Sequence, residues 1–151
     1  MSIDTSEDAV ERDALEVFRE LNWQVEYGGD IAPGEARAER DDYTQVVLRG
    51  RLERAVKKLN PELPVDARDE AIRRVLHPES PSLVENNRRF HKMLTDGVAV
   101  EVRRDDGTLS GEQVRLVDFQ EPANNDWLAV NQFTVMEGQT NGPRDIVRVV
   151  D

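Results

Sequence analysis

An α/β fold, with N-terminal helices packed on a mixed β-sheet, is the architecture this sequence predicts, and three observations lead to it. Four stretches with apolar residues at three- and four-residue spacing precede residue 97. At Val98 the spacing changes abruptly to two, the period of a half-buried strand. The 151 residues are 38% apolar and 34% charged, with mean hydropathy −0.66. That is enough for one core beneath a heavily solvated surface and too little chain for two full-sized ones. A single domain over residues 1–151 is expected.

The first helix is written by Val10, Ala14, Val17, Phe18 and Leu21, and Thr5 with Asp8 fits a capping pair ahead of it. Trp23 to Tyr27 alternates and is stopped by Gly28-Gly29, which predicts a short strand and then a polar loop through Pro33-Gly34. Val47, Leu48, Leu52, Ala55, Val56 and Leu59 write a second helix. It ends at Asn60, because Pro61 has no amide hydrogen and clashes with the preceding turn. Pro64 opens a third helix with the stripe Ile72, Val75, Leu76, closed by Pro78. Ser80-Pro81 serves as N-cap and first position of a fourth, with Leu83, Asn87, Phe90 and Leu94 on one face and Gly97 as its stop. Val98, Val100 and Val102 then alternate, Asp106-Gly107 supplies a turn, and Val114, Leu116 and Phe119 alternate again as the second arm of a hairpin. Trp127 to Met136 reads as a further strand whose apolar parity shifts between Val130 and Phe133, as at a bulge. Asp145 to Val150 forms a last strand, with an apolar run that predicts burial on both faces.

Composition narrows the chemistry. Twenty Lys and Arg against 31 Asp and Glu leave a net charge of −11, so the chain lacks the cationic excess that dominates tight nucleic-acid binding by a protein alone. Seventeen of the 20 basic residues are Arg, which fits either GC-rich codon usage or a surface kept hydrated by carboxylates in high salt. No apolar run approaches the roughly 20 residues of a membrane span, and Met1-Ser2-Ile3-Asp4 opens without a signal-peptide pattern. A cytoplasmic protein with no membrane partner is expected. The absence of cysteine excludes disulfides, thiolate nucleophiles and Cys-based metal sites, so any metal site is oxygen-rich.

Neither His77 nor His91 has a second nitrogen ligand at helical spacing, and each reads as structural. No catalytic-triad order, phosphate loop or dinucleotide fingerprint occurs. Carboxylates remain. Glu7 and Glu11 lie four residues apart on one face of the first helix, and Asp145 begins the last strand. A helix carboxylate and a strand carboxylate meeting over a sheet can hold a magnesium ion through hard oxygen ligands. The alternative is a solvated helix face and a strand-start turn.

The order of several segments is more specific than any one of them. Leu59-Asn60-Pro61-Glu62-Leu63-Pro64, Ser80-Pro81-Ser82-Leu83, Asn87 through Val98, Val114 through Phe119 and Leu128 through Val135 together resemble the N-terminal region of the type I restriction endonuclease R subunit, across nearly the whole chain. The resemblance implies an incomplete restriction-endonuclease-like PD-(D/E)xK fold at the start of a large DNA-translocating subunit. It also implies Mg2+-dependent DNA cleavage, ATP used only by motor domains outside this chain, and methyltransferase and specificity subunits as partners. The family motif runs Arg-Pro-Asp, an apolar strand, a turn, then a strand bearing Glu-x-Lys. Here Pro143-Arg144-Asp145 has the first two residues transposed, Arg148 stands where the family is apolar, and the sequence reaches Asp151 before a Glu-x-Lys strand. The resemblance makes Asp145 the catalytic, metal-binding aspartate and Glu11, or less favourably Glu7, the helix acid that assists the metal. With the second strand outside these residues, the polypeptide is expected to be inactive alone. The alternative is a non-catalytic module docking on restriction-modification subunits.

Overall fold

A computed structural model of the chain describes residues 6–136 and, for 148–150, the backbone alone. Among the described residues, four α-helices and two small sheets make up a mixed α/β architecture. The chain folds into two compact units, one from residues 6–49 with 126–136 and the last strand, the other from 50–125.

The first unit is built on a three-stranded mixed sheet in the order β1 (Gln24–Tyr27), β4 (Leu128–Asn131), β5 (Arg148–Val150). β1 runs parallel to β4 and β5 antiparallel to it. A parallel pair needs a long crossover, and here the crossover contains the whole second unit. In-register pairing puts Gln24, Glu26, Leu128 and Val130 on one face and Val25, Tyr27, Ala129 and Asn131 on the other. Leu128 and Val130 close over Ile31, Leu48 and Phe133, a cluster with no member more than 1% exposed. Each such side chain contributes about 1.5–3 kcal/mol on leaving water. Helix α1 (Glu7–Glu20) packs against β1 and β4, where Ala129, fully buried, lets the helix approach. Phe18 meets Trp23 and Trp23 stacks on Trp127, both at 4.9 Å between ring centres; such pairs add about 0.5–1.5 kcal/mol each beyond burial.

The second unit holds α2 (Arg49–Leu59), α3 (Val65–Leu76), α4 (Leu83–Asp96) and the hairpin β2 (Val98–Arg103) with β3 (Leu109–Val114). α3 lies on the hairpin, with Val98 and Val100 buried and Ala99 and Glu101 outward, as the alternation predicts. Gly97 takes φ +83°, a left-handed conformation open to glycine, and stops α4 by donating its N–H to Met93 O. Asn60, 1% exposed, ends α2 and then substitutes for a strand. Its Nδ2 donates to Val56 O and Arg115 O, and its Oδ1 accepts the Arg115 N–H.

Several boundaries move once the tertiary structure is known. α1 is capped by Ser6, whose hydroxyl accepts the Ala9 N–H; Thr5 lies outside the described residues. α4 is capped by Ser82 instead of Ser80, whose hydroxyl accepts from Ser82 N and donates to Glu85. α2 starts at Arg49, so Leu48 belongs to the core of the other unit. Among the described residues the expected single mixed sheet is two sheets, because the hairpin strands pair with each other and with no other described strand. β3 ends at Val114, since Asp118 organises the chain beyond it: Oδ1 accepts from Gln120 N and Glu121 N, and Oδ2 from Asn124 Nδ2. The Asn124 amide first, then the Glu121 N–H, hold the Asp118 carboxyl below the ordinary 3.8. A carboxyl lowered by folding stabilises above the ordinary range and loses that contribution as pH falls below about 4 toward the lowered value. Asp118→Asn is therefore expected to lower the melting temperature at pH 7, with the gap from wild type closing toward pH 3. A gap independent of pH would contradict this.

Candidate metal centre

The predicted site residues fall in the first unit. Glu11 lies one turn into α1 and is half-buried, while Glu7, four residues earlier, is exposed. Glu11 Oε1 accepts a 3.0 Å hydrogen bond from Nε2 of Gln132, 121 residues away and immediately past the end of β4. No ion pair joins Glu11 to a described Arg or Lys. Asp145 lies outside the described residues, as does the first half of the strand predicted from it. The described part, β5, sets Arg148 opposite Val130, Val149 opposite Ala129 and Val150 opposite Leu128. β5 therefore enters the sheet at the end where β4 finishes, the end that carries Gln132 and its bond to Glu11.

The expected long strand from Trp127 to Met136 stops at Asn131 because Gln132 adopts φ +52°, a left-handed conformation costly for a residue with a β-carbon. The parity shift between Val130 and Phe133 is this reversal, not a bulge. Gly28 makes room for it. A β-carbon at residue 28 would stand 2.2 Å from Gln132 O and 2.8 Å from Asn131 O, and the Gly28 N–H donates to Asn131 O at 2.8 Å. Beyond the reversal, the 133–136 segment is held by Arg40. Its Nη2 donates to Thr134 O and its Nη1 to Gln45 O, with the guanidinium 3.9 Å from the Phe133 ring centre. Met136 N donates to Tyr43 O, closing the same loop.

A buried carboxylate in the first unit, Glu26, carried no sequence signal. Glu26 points to the sheet face opposite Ala129, where Arg37 Nη2 lies 2.6 Å from both of its oxygens and Gln24 Nε2 lies 3.1 Å from Oε1. An arginine already neutralises it, whereas Glu11 meets a neutral amide. Among the described residues no three Asp, Glu or His side chains gather as a metal cage. His77 and His91 are both exposed. Gln132 carried no chemical signal in the sequence; the parity shift was the local sign of it.

Glu11 offers an oxygen donor of the kind hard divalent cations take, but among the described residues it does not gather with two other Asp, Glu or His side chains, so the described residues alone form no cation site there.

Residues 4–151 match the family described as type I restriction enzyme R protein N terminus. The chain is 38% identical over 130 residues to the type I restriction enzyme HindI endonuclease subunit of Haemophilus influenzae, covering 86% of this chain and 12% of that protein. It is 28% identical over 133 residues to a provisionally named type I restriction enzyme MjaIXP endonuclease subunit of Methanocaldococcus jannaschii, covering 88% and 12%. The chain thus spans about an eighth of the length of these relatives. No solved structure matches it significantly. With nearly every residue inside the matched span, this chain belongs to the family of type I restriction enzyme R protein N-terminal regions.

Proposed function

We propose that the chain is the N-terminal nuclease portion of a type I restriction enzyme R subunit, with Mg2+-dependent DNA cleavage as the activity of the whole subunit and Glu11 and Asp145 as metal-binding carboxylates. The relatives it matches are named endonuclease subunits, and a mixed sheet flanked by a helix suits an incomplete PD-(D/E)xK fold. One observation carries the site: Glu11 is bonded to Gln132 at the end of β4, and β5 enters the sheet at that same end. Asp145 precedes Arg148 by three residues, at most about 10 Å of chain.

In this reading both units serve one nuclease-domain portion, ATP is consumed by motor domains of the whole subunit, and DNA is met in a complex with methyltransferase and specificity subunits in the cytoplasm. No helix among the described residues is long and apolar enough to cross a membrane. When bound, magnesium activates water and offsets the negative charge that builds on the phosphate. Glu11 and Asp145 would hold it, the first from α1 and the second from the strand side. Two carboxylates are too few to fix an ion that demands near-octahedral geometry and dehydrates reluctantly. The 151-residue polypeptide incubated with Mg2+ and plasmid is therefore expected to leave the plasmid intact. Nicking that Asp145→Ala abolishes would overturn this.

The second reading, a module docking on restriction-modification subunits, is favoured by apolar side chains left in water. On α4, Leu83 is 72% and Phe90 43% exposed; Val10 and Val17 on α1 and Leu21 at its C-cap are each more than half exposed. If docking is the role, Leu83→Asp with Phe90→Asp breaks association of the whole subunit with its partners while Asp145→Ala leaves DNA cleavage unchanged.

A further inference from the structure

We infer that the outward face of α2 is a sequence-independent docking surface for the phosphate backbone of duplex DNA, held by Arg54, Lys57 and Lys58; this rests on the nuclease reading proposed above. The chain is acidic, with 31 Asp and Glu against 20 Lys and Arg, yet the 11 residues of α2 gather five of those cations, two of the three lysines among them, and a single acid, Glu53. Burial sorts the helix. Arg51, Leu52, Ala55, Val56 and Leu59 are turned inward, and the exposed positions are Arg49, Gly50, Glu53, Arg54, Lys57 and Lys58. A face without one apolar side chain lacks the apolar core that protein partners bury, so a polyanion suits it better than a protein.

On other helices exposed cations meet acids: Arg19 pairs with Glu16, and Arg73 and Arg74 with Glu70. Arg54, Lys57 and Lys58 pair with no acid among the described residues, although like charges three and four residues apart on a helix repel. The helix dipole favours Lys57 and Lys58 in the last turn. It does not account for Arg54, a turn further in, whose Nη1 lies 3.4 Å from where a β-carbon on Gly50 would stand. Arg54 to Lys58 covers about 6 Å of helix axis, the rise over which one strand of a duplex presents about two phosphates. Three cations on that length can therefore meet successive phosphates. With no aromatic side chain in α2 to stack on bases, the contact is blind to sequence. The net charge of −11 keeps it weak in the chain alone, while the local charge decides where DNA lies.

A titration of the isotopically labelled 151-residue chain with a short random-sequence DNA duplex at low salt, followed by backbone amide shifts, detects weak contacts and locates them. In wild type the signals of residues 54–58 are expected to shift first, with an affinity that falls as salt rises. Arg54→Gln with Lys57→Gln and Lys58→Gln keeps helix-forming side chains. It is expected to weaken binding by at least about tenfold and to flatten the double-logarithmic salt slope by about 3, roughly one per phosphate contact. Arg88→Gln with Lys92→Gln and Arg103→Gln removes the same charge from exposed positions outside α2. That control is expected to stay within about twofold of wild type, because salt screens charges that do not touch the DNA. Equal weakening in the two variants, or shifts centred away from α2, overturns the surface and leaves the nuclease reading standing, which cleavage with Asp145→Ala decides separately. Polyglutamate that shifts the same signals as strongly as the duplex, at equal charge, overturns DNA as the occupant in favour of an acidic protein.

Discussion

Asp145→Ala in the whole R subunit, assembled with its partners, is expected to reduce DNA cleavage by at least about a thousandfold. Glu11→Gln is expected to reduce it by about 10–100-fold. The difference follows from what each change removes. Under the proposed function Asp145 is a direct carboxylate ligand, and losing it forfeits several kcal/mol of transition-state charge stabilisation, each 1.36 kcal/mol being a factor of ten in rate. Glu11→Gln keeps the shape and still offers an oxygen to the Gln132 amide, so it deletes only the negative charge of an assisting acid, an effect of the size seen for outer partners of metal sites. Supercoiled plasmid cleavage at fixed Mg2+, with subunit association measured in parallel, checks both. Cleavage that survives Asp145→Ala with assembly intact would remove the nuclease reading and leave the docking module.

Gly28→Ala is expected to destabilise the first unit by about 3 kcal/mol, the top of the range for overpacking. The methyl would lie 2.2 Å from Gln132 O, 2.7 Å from Gln132 C and 2.8 Å from Asn131 O. All three are backbone atoms, so no side chain can swing aside. Relief requires β1 and the end of β4 to separate, which breaks the Gly28 N–H bond to Asn131 O and shifts the turn that carries Gln132. For a chain of this length the loss corresponds to a melting temperature lower by roughly 6–12 °C, measurable by circular dichroism. A shift below about 2 °C would mean that this close approach does not persist in solution.

Much of the secondary structure was legible because its signals are local. Pro61 cannot continue α2, Gly97 alone accepts φ +83° at low cost, and the period-two run from Val98 can only face a core as a strand. The stripes were less reliable guides to burial. Val10, Ala14, Val17 and Leu21 share a face of α1, yet Val10, Val17 and Leu21 lie in water while Ala9 and Leu15 are buried. On α4 the predicted face of Leu83 and Phe90 is outward and Met93 is the buried residue. Periodicity reports which residues share a side of a helix, whereas burial depends on what stands opposite.

The candidate site divides along the same line. Glu11 was visible in the sequence because a carboxylate announces its chemistry by type and its face by spacing. Gln132 and Gly28 were not, since their parts depend on a strand pairing that joins residues about a hundred positions apart. The sequence by itself determined where helices stop, where the hairpin turns, which family the chain resembles and which ligands it can offer, because each of these is a matter of covalent structure or neighbouring residues. Only the tertiary structure decided that β1 lies beside β4, that Gln132 is turned toward Glu11, and that Glu26 is neutralised by Arg37, because these follow from chain segments meeting in space, where sterics and desolvation act without regard to sequence distance.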